Sequence, residues 1–170
     1  FVPLEQILDQ SVGKTLELTL VRSGKPLSVQ VKVQDLDDIT PASYLEFGGG
    51  VLNDLSYQQA RNYNVPAQGV YVANPGYVCG TAGIGSASVI TSLDGVQVHD
   101  LDEFQRVLTR LPARAHAVVR YFRLANSGHT NLAIVTVDRR WFPAQRCHRN
   151  DATGVWPCTA LPPPPPRVAP

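Results

Sequence analysis

The sequence lacks the features that mark several large classes of protein. No apolar run approaches the ~20 residues of a membrane-spanning helix. Only 17% of its 170 residues are charged and the formal net charge is +1, so no overall field draws the chain to nucleic acid or to anionic lipid. It contains no Asn-x-Ser/Thr glycosylation acceptor, which favours an intracellular location. We expect no nucleic-acid partner and no membrane association.

Cysteine is scarce: the sequence has three, an odd number that leaves at least one unpaired within the chain. Cys79, Cys147 and Cys158 form no CxxC pair, and no histidine lies at zinc-finger spacing from them. Cys147, His148 and Cys158 are a weak metal-ligand candidate, and reduced thiols are the favoured interpretation. The sequence therefore predicts no metal and no cofactor.

The sequence also has no recognisable catalytic motif for hydrolysis. A nucleophilic site needs a nucleophile, a base and an orienting acid together. The chain has neither a GxSxG elbow nor a GNSGG-like loop, and none of its four histidines adjoins a strong nucleophile. We predict no catalytic residue in this chain.

The first 38 residues predict a helix followed by a hairpin. Residues 2–10, VPLEQILDQ, place Leu4, Ile7 and Leu8 on one helical face. The segments TLELTLVR and LSVQVKV alternate apolar and polar residues on either side of the turn at 23–26, which is typical of paired strands.

Residues 39–140 read as a complete module of strands and helices. The segment YLEF predicts a strand, and the glycines at 48–50 indicate either a bulge at a sheet edge or a strand left free to pair with a peptide. Ser56 is a candidate cap for a short helix. We then predict a strand GVYVAN, a Pro-Gly turn with a small-residue loop, a strand SVITSL, a helix LDEFQRVLTRL and a closing hairpin.

The helix-and-hairpin pattern occurs twice. Leu4–Leu8 aligns with Phe104–Leu108 at an offset of 100 residues, which indicates a diverged internal repeat. The first copy lacks its front half. With neither an initiator Met nor a signal peptide at the start, we expect a piece of a longer protein.

The last thirty residues, 141–170, predict an irregular docking segment and a Pro-rich tail. Trp141, Phe142 and Trp156 are expected to pack onto the body. The tail is expected to be extended polyproline II, and Pro162-x-x-Pro165-x-Arg167 has the spacing of an SH3 ligand, so an SH3 domain is a candidate partner. The basic cluster is interpreted as a solvated surface; it comprises Arg139, Arg140, Arg146 and Arg149.

With these motifs in view, the chain resembles a known family. YLEF, GVYVANP, TAGI, SVITSLDGVQV and DLDEFQRVL, in that order, are similar to a PDZ domain of the HtrA/Deg serine proteases. DLSYQQARNYNVP, TVDRRWFP and RNDATGVW resemble the C-terminal region of the large eukaryotic members, the fungal nuclear pro-apoptotic type and plant Deg relatives. The similarity covers about residues 1–156.

The resemblance implies an α+β fold. We expect a PDZ-like module at 39–140, a small antiparallel β-sandwich or partly open barrel with two helices. The C-terminal part of another such module is expected before it, at 1–38. The catalytic part of the parent, an HtrA/Deg-class serine endopeptidase, is expected N-terminal to this chain.

The family also implies a peptide groove between the strand after a carboxylate-binding loop and the long helix. A peptide adds there as an extra strand. Glu46 stands where such loops usually hold glycine, so recognition of a terminal carboxylate is disfavoured relative to internal apolar segments. The implied site residues are the loop Tyr44, Leu45, Glu46, Phe47 and Gly48 and the helical wall Phe104, Val107, Leu108 and Leu111.

Two functions follow from the resemblance. The first is a non-catalytic regulatory segment that recognises apolar peptide segments of protein substrates by strand addition. The alternative is a structural module with a closed groove that mediates domain or subunit assembly. Expected partners include the neighbouring protease domain and a second copy of the chain, and the resemblance implies a role in protein quality control or apoptosis and a nuclear location.

Overall fold

The structure is a computed structural model that describes residues 2–37 and 39–166. The chain divides into two compact units, residues 1–40 and 41–170. Arg167, the last residue of the predicted SH3-ligand motif, lies outside the described residues, so that motif remains a prediction.

The first unit is a helix followed by a two-stranded antiparallel hairpin. It contains α1 (Val2–Asp9), β1 (Thr15–Arg22) and β2 (Lys25–Lys32), with Arg22 opposite Lys25 across a turn at Ser23-Gly24. Both turn residues have positive φ, as a two-residue hairpin turn requires. Helix α1 buries none of its residues.

The second unit combines three helices with one mostly antiparallel sheet. The elements are β3 (Ser43–Phe47), β4 (Gly50–Asp54), α2 (Tyr57–Asn62), β5 (Val70–Asn74), α3 (Gly76–Thr81), β6 (Ser88–Leu93), β7 (Val96–Gln97), α4 (Leu101–Arg110), β8 (Ala115–Arg123), β9 (Asn126–Val137), β10 (Gln145–His148) and β11 (Cys158–Ala160). Within the described residues the sheet does not close into a barrel, and its strand order is β11-β10-β3-β4-β5-β6-β8-β9, with β7 on β6. The α+β class predicted from the sequence is confirmed.

Helix α4 supplies one side of the main core. Asp100 caps it, since its Oδ1 accepts a hydrogen bond from the Glu103 N–H at 2.7 Å. Leu101, Phe104 and Leu108 recur at helical spacing and are buried against the sheet. Helix α4 is thereby fixed against the sheet, where the family resemblance implies one wall of a peptide groove.

Helix α3 was not foreseen, because a Pro-Gly turn and a loop were expected at this position. Its sequence GYVCGT has no helical periodicity and two glycines, which disfavour helix locally. Tertiary contacts override that propensity: the N–H groups of Tyr77 and Val78 donate to the Gly48 carbonyl at 2.9 and 3.1 Å. The loop prediction was wrong because these contacts lie ~30 residues away in sequence, beyond any local pattern.

The glycines at 48–50 form neither a bulge at a sheet edge nor a free strand. Gly48 and Gly49 are the two-residue turn between β3 and β4, with φ of 60° and 77°. Gly76 packs directly on this turn: a Cβ added there would lie 2.2 Å from the Gly50 nitrogen. The β3–β4 turn and the start of α3 are therefore in backbone-to-backbone contact that only glycine permits.

We predict that Gly76→Ala destabilises the second unit strongly. The added Cβ meets backbone, which cannot rotate away, and the residue has positive φ. The strained φ costs about 1 kcal/mol and the overlap about 2 kcal/mol more. The measurement is the free energy of unfolding in urea. Gly95→Ala is the matched control, since Gly95 also has positive φ but nothing within 4 Å of an added Cβ. Equal losses for the two variants would contradict the contact.

Candidate functional site

The predicted carboxylate-binding loop, Tyr44 to Phe47, forms strand β3 in the structure. Leu45 and Phe47 face the core and are 0% and 3% exposed. Glu46 lies between them on the opposite face of the strand, as the alternation of a strand requires. Gly48 follows in the turn, and its carbonyl is engaged by the start of α3.

The predicted helical wall and the predicted loop meet in one apolar cluster. The rings of Phe47 and Phe104 pack edge to face with centroids 5.9 Å apart. The four wall residues are all buried in the cluster that holds Leu45 and Phe47; they are Phe104, Val107, Leu108 and Leu111. Their apolar surface is thus already covered by the chain itself.

Neither strand beside this cluster has a free edge. Strand β4, which follows the predicted loop, pairs with β3 on one side and β5 on the other. The outer edge of β3 pairs with β10, with Arg146 opposite Leu45 and His148 opposite Ser43. The Arg149 N–H donates to the Ala42 carbonyl at 2.8 Å and extends this ladder by one residue. The backbone groups that an added peptide would use are occupied by residues 145–149.

The segment that carries β10 also contacts both ends of α4. At the C-terminal end of the helix, Arg139 Nη2 donates to the carbonyls of Thr109 and Leu111 at 3.2 and 3.4 Å. At the N-terminal end, Arg146 reaches Asp102 and Gln105. Residues 139–148 thus make contacts with α4 and with the edge of β3, and we call them the cis segment.

The interpretation of the basic cluster as a solvated surface was wrong for two of its four arginines. Arg139 and Arg146 are 6% and 7% exposed. Burial lowers the pKa of Arg139, and its guanidinium satisfies carbonyls at the helix end, where a cation is favoured by the helix dipole. Sequence alone could not separate these two from Arg140 and Arg149, because all four stand in the same polar stretch.

Arg146 is the polar centre of the contact between the cis segment and the body. Its Nη2 lies 2.7 Å from Ser43 Oγ on β3 and 2.9 Å from Asp102 Oδ1 on α4. Its Nη1 lies 3.5 Å from Gln105 Oε1. One buried guanidinium thus joins β3 to α4.

Two further side chains complete the contact. Ala144, just before β10, is buried in the same cluster as Phe47 and Phe104. On the other face, Gln145 Nε2 donates to Glu46 Oε2 at 2.7 Å. The carboxylate of Glu46, which disfavours recognition of a peptide's terminal carboxylate, is therefore bonded to a side-chain amide of the cis segment.

Strand β11 pairs with β10 on the side away from β3. Cys147 and Cys158 are directly opposite each other and form a disulfide. The expectation of reduced thiols was wrong for this pair, because the turn at 149–157 brings two distant positions into register. Cys79 is free and buried, and burial raises its pKa to about 12, so its thiol stays protonated at neutral pH.

Acidic side chains surround the N-terminal end of α4. Asp54 Oδ1 accepts from the Leu101 N–H at 2.6 Å. The pKa of Asp54 is raised, chiefly because the carboxyl is buried. The hydrogen bond from Leu101 and the charge of Arg146 act to lower this pKa, whereas the charges of Asp100 and Asp102 act to raise it. The helix-end N–H groups of Leu101 and Glu103 are thereby already bonded to carboxylates.

Neither a metal site nor a membrane span is visible in the part of the chain that the structure describes. No three His, Cys, Asp or Glu side chains there are grouped closely enough to hold a metal ion. None of the described helices is long and apolar enough to cross a membrane.

Comparison with known proteins identifies the family that part of the chain matches. Residues 38–114 match the PDZ-like domain family. The chain contains a PDZ-like domain. Over 92% of its length it is 40% identical to Protease Do-like 7 of Arabidopsis thaliana. Over its whole length it is 41% identical to the pro-apoptotic serine protease NMA111 of Coccidioides immitis, and over 95% of its length 39% identical to that of Yarrowia lipolytica.

These relatives are HtrA-type serine proteases, and they are much longer than this chain. The chain spans 14–17% of their length. The resemblance to the PDZ-bearing region of such proteases, named from the motifs, is confirmed.

We predict that Arg146→Ala raises the pKa of Asp54 in the PDZ-like domain. The guanidinium attracts the ionised carboxylate, so its removal favours the protonated form. A carboxyl whose pKa is higher folded than unfolded loses stability as the pH rises from its unfolded value to its folded value. The variant should therefore lose more stability at neutral pH than at acidic pH.

The measurement is an NMR titration of the Asp54 side-chain carboxyl carbon. Arg149→Ala is the control, because Arg149 pairs with the exposed Asp151 away from Asp54. An unchanged or lowered Asp54 pKa in Arg146→Ala would show that the guanidinium does not act on this carboxylate.

Proposed function

We propose that this chain is a non-catalytic, regulatory segment of an HtrA-type serine protease. In this proposal its PDZ-like domain binds an extended strand at β3, and the bound strand is the chain's own β10. The domain then acts as a closed module that fixes the C-terminal segment and holds neighbouring parts of the protease in place.

One observation carries this proposal: β10 pairs with the outer edge of β3 beside α4. Strand addition at a sheet edge is a common way to bind a peptide, with backbone hydrogen bonds giving affinity and side-chain pockets giving selectivity. The cis segment supplies both, through the β10–β3 ladder and through Ala144 and Arg146.

Covalent connection gives the cis segment an advantage over a free peptide. A tethered ligand acts at an effective concentration on the order of mM. A peptide in solution at micromolar concentration must therefore bind about a thousandfold more tightly to displace it. The disulfide from β10 to β11 adds a second restraint on the departure of β10.

The parent activity and location are part of the same proposal. The relatives' names describe serine proteases, some of them pro-apoptotic. We infer that this chain serves such a protease within the cell, with the catalytic residues elsewhere in the parent. The nuclear location, the partial first module and a homo-oligomer are further proposals, which rest on the family resemblance and the repeat.

Recognition of apolar segments in trans is the second candidate function. The edge-to-face pair of Phe47 and Phe104 favours it, because these rings lie in the same buried cluster as Ala144 of the cis segment, and departure of that segment would uncover part of this cluster. This function requires β10 to be displaced.

A peptide titration separates the two functions. Labelled peptides that carry an internal apolar segment and an amidated C-terminus are titrated into the full chain and into Gln145→Pro, with binding followed by fluorescence anisotropy. The Arg149 N–H faces β3 and the His148 N–H faces Pro157 on the other side. Because N–H groups alternate sides along a strand, the N–H of Gln145, four residues before Arg149, also faces β3. Proline removes that donor and loosens the ladder. We expect no saturable binding to the unmodified chain and binding to Gln145→Pro.

His148→Pro is the matched control, because it removes an N–H on the other side of β10. It should leave the β3 edge covered and bind no peptide. Equal binding by the unmodified chain and Gln145→Pro would contradict the closed module. Absence of binding to Gln145→Pro, with circular dichroism showing an intact fold, would exclude peptide recognition in trans and leave the structural role.

A further inference from the structure

We propose that the site between β3 and α4 that holds Ala144 and Arg146, which we call the strip, selects one kind of extended segment. Such a segment carries a small residue and, two positions later, an arginine. This inference rests on the proposed function, since it takes β10 to be a ligand bound in cis. It concerns what the site recognises: Ala144-x-Arg146 in this chain, and a segment of the same pattern in a partner protein or substrate.

The apolar end of the strip accepts only a small side chain. Ala144 is 4% exposed within the cluster that contains Phe47, Phe104 and Leu108. Adding methylene groups to a packed core forces neighbouring side chains out of their preferred positions. A residue larger than alanine at this position is therefore disfavoured.

The polar end fits arginine better than lysine. Three acceptors from two elements converge on the guanidinium of Arg146: the hydroxyl of Ser43, the carboxylate of Asp102 and the side-chain carbonyl of Gln105. A planar fork reaches acceptors on both sides of the strip at once, whereas an ammonium is a compact point charge.

The charge around the helix end also favours a cation over a carboxylate. A free helix N-terminus attracts anions through its unpaired N–H groups. Here the Leu101 N–H bonds to Asp54 and the Glu103 N–H bonds to Asp100, so these donors are already used by carboxylates. Asp102 adds a further negative charge. A peptide's terminal carboxylate would be repelled at this position and an arginine attracted.

The site should therefore bind basic extended segments, in contrast with apolar C-termini. A segment with the pattern small-x-Arg can pair with β3, place its small side chain against Phe47 and Phe104, and place its guanidinium between Ser43 and Asp102. Such a segment competes directly with the cis segment for the same hydrogen bonds.

A charge swap in the full chain tests the arginine site without any added ligand. The variants are Asp102→Arg and the double variant Asp102→Arg with Arg146→Glu. The Asp102 side chain is 78% exposed, so its replacement is tolerated by the fold. The measurement is amide hydrogen exchange of Gln145, Cys147 and Arg149, whose N–H groups face β3. We expect about tenfold faster exchange in Asp102→Arg and recovery in the double variant. Asp151→Arg, which breaks a surface pair with Arg149, is the control and should change nothing.

A binding experiment tests the selectivity in trans. The peptide PAQRSHR, residues 143–149 with serine for Cys147, and its counterpart PAQESHR are titrated into Gln145→Pro. We expect the arginine peptide to bind at least about tenfold more tightly, and Asp102→Arg to reverse the order.

The outcomes separate this inference from the proposed function. If the amides of Gln145, Cys147 and Arg149 are not protected in the unmodified chain, the strand is not bound to β3 in cis and the proposed function fails. If they are protected but Asp102→Arg does not change their exchange, or if the two peptides bind equally, the arginine site is wrong while strand addition stands.

Discussion

The second unit depends on how the outer edge of β3 is covered. An uncovered edge would present unpaired N–H and C=O groups beside a large apolar cluster, which invites pairing with other chains. In this protein the chain's own residues 145–148 cover that edge. The PDZ-like domain therefore includes its C-terminal segment as a structural part, although the segment lies beyond the matched residues 38–114.

Two buried arginines make this arrangement stable. Arg139 bonds the carbonyls at the C-terminal end of α4, and Arg146 bonds Asp102 and Gln105 near its N-terminal end. A buried charge is costly unless it is paired. These contacts pair the terminal nitrogens of the two guanidinium groups at opposite ends of α4, while the buried Nε atoms of both arginines have no hydrogen-bond partner among the described residues. The two contacts together fix the position of the segment along the helix. The same contacts give the strip its preference for a cation.

Most of the fold was predictable from the sequence, because its strands and helices carry strong local patterns. TLELTLVR alternates, SVITSL is a short apolar run, and Asp100 and Ser56 are ordinary helix caps. Helix α3 and strands β10 and β11 were missed, since their sequences GYVCGT, QRCH and CTA have no period. Long-range partners hold these elements: Gly48 for α3 and Ser43–Glu46 for β10. The predicted helical wall lies in one apolar cluster with Leu45 and Phe47 of the predicted loop. The segment that covers them was not predicted, because pairing between distant strands leaves no local signal.

Cross-strand nuclear Overhauser effects test the register of β10 on β3 most directly. Because the Arg149 N–H bonds to Ala42 on the β3 side, Arg146 and Leu45 are a non-hydrogen-bonded pair, in which the Cα atoms approach to about 4.5 Å. We predict a strong Hα–Hα effect between Arg146 and Leu45, and another between His148 and Ser43. Absence of both effects in the assigned spectrum of the full chain would show that β3 has a free edge and would contradict the account.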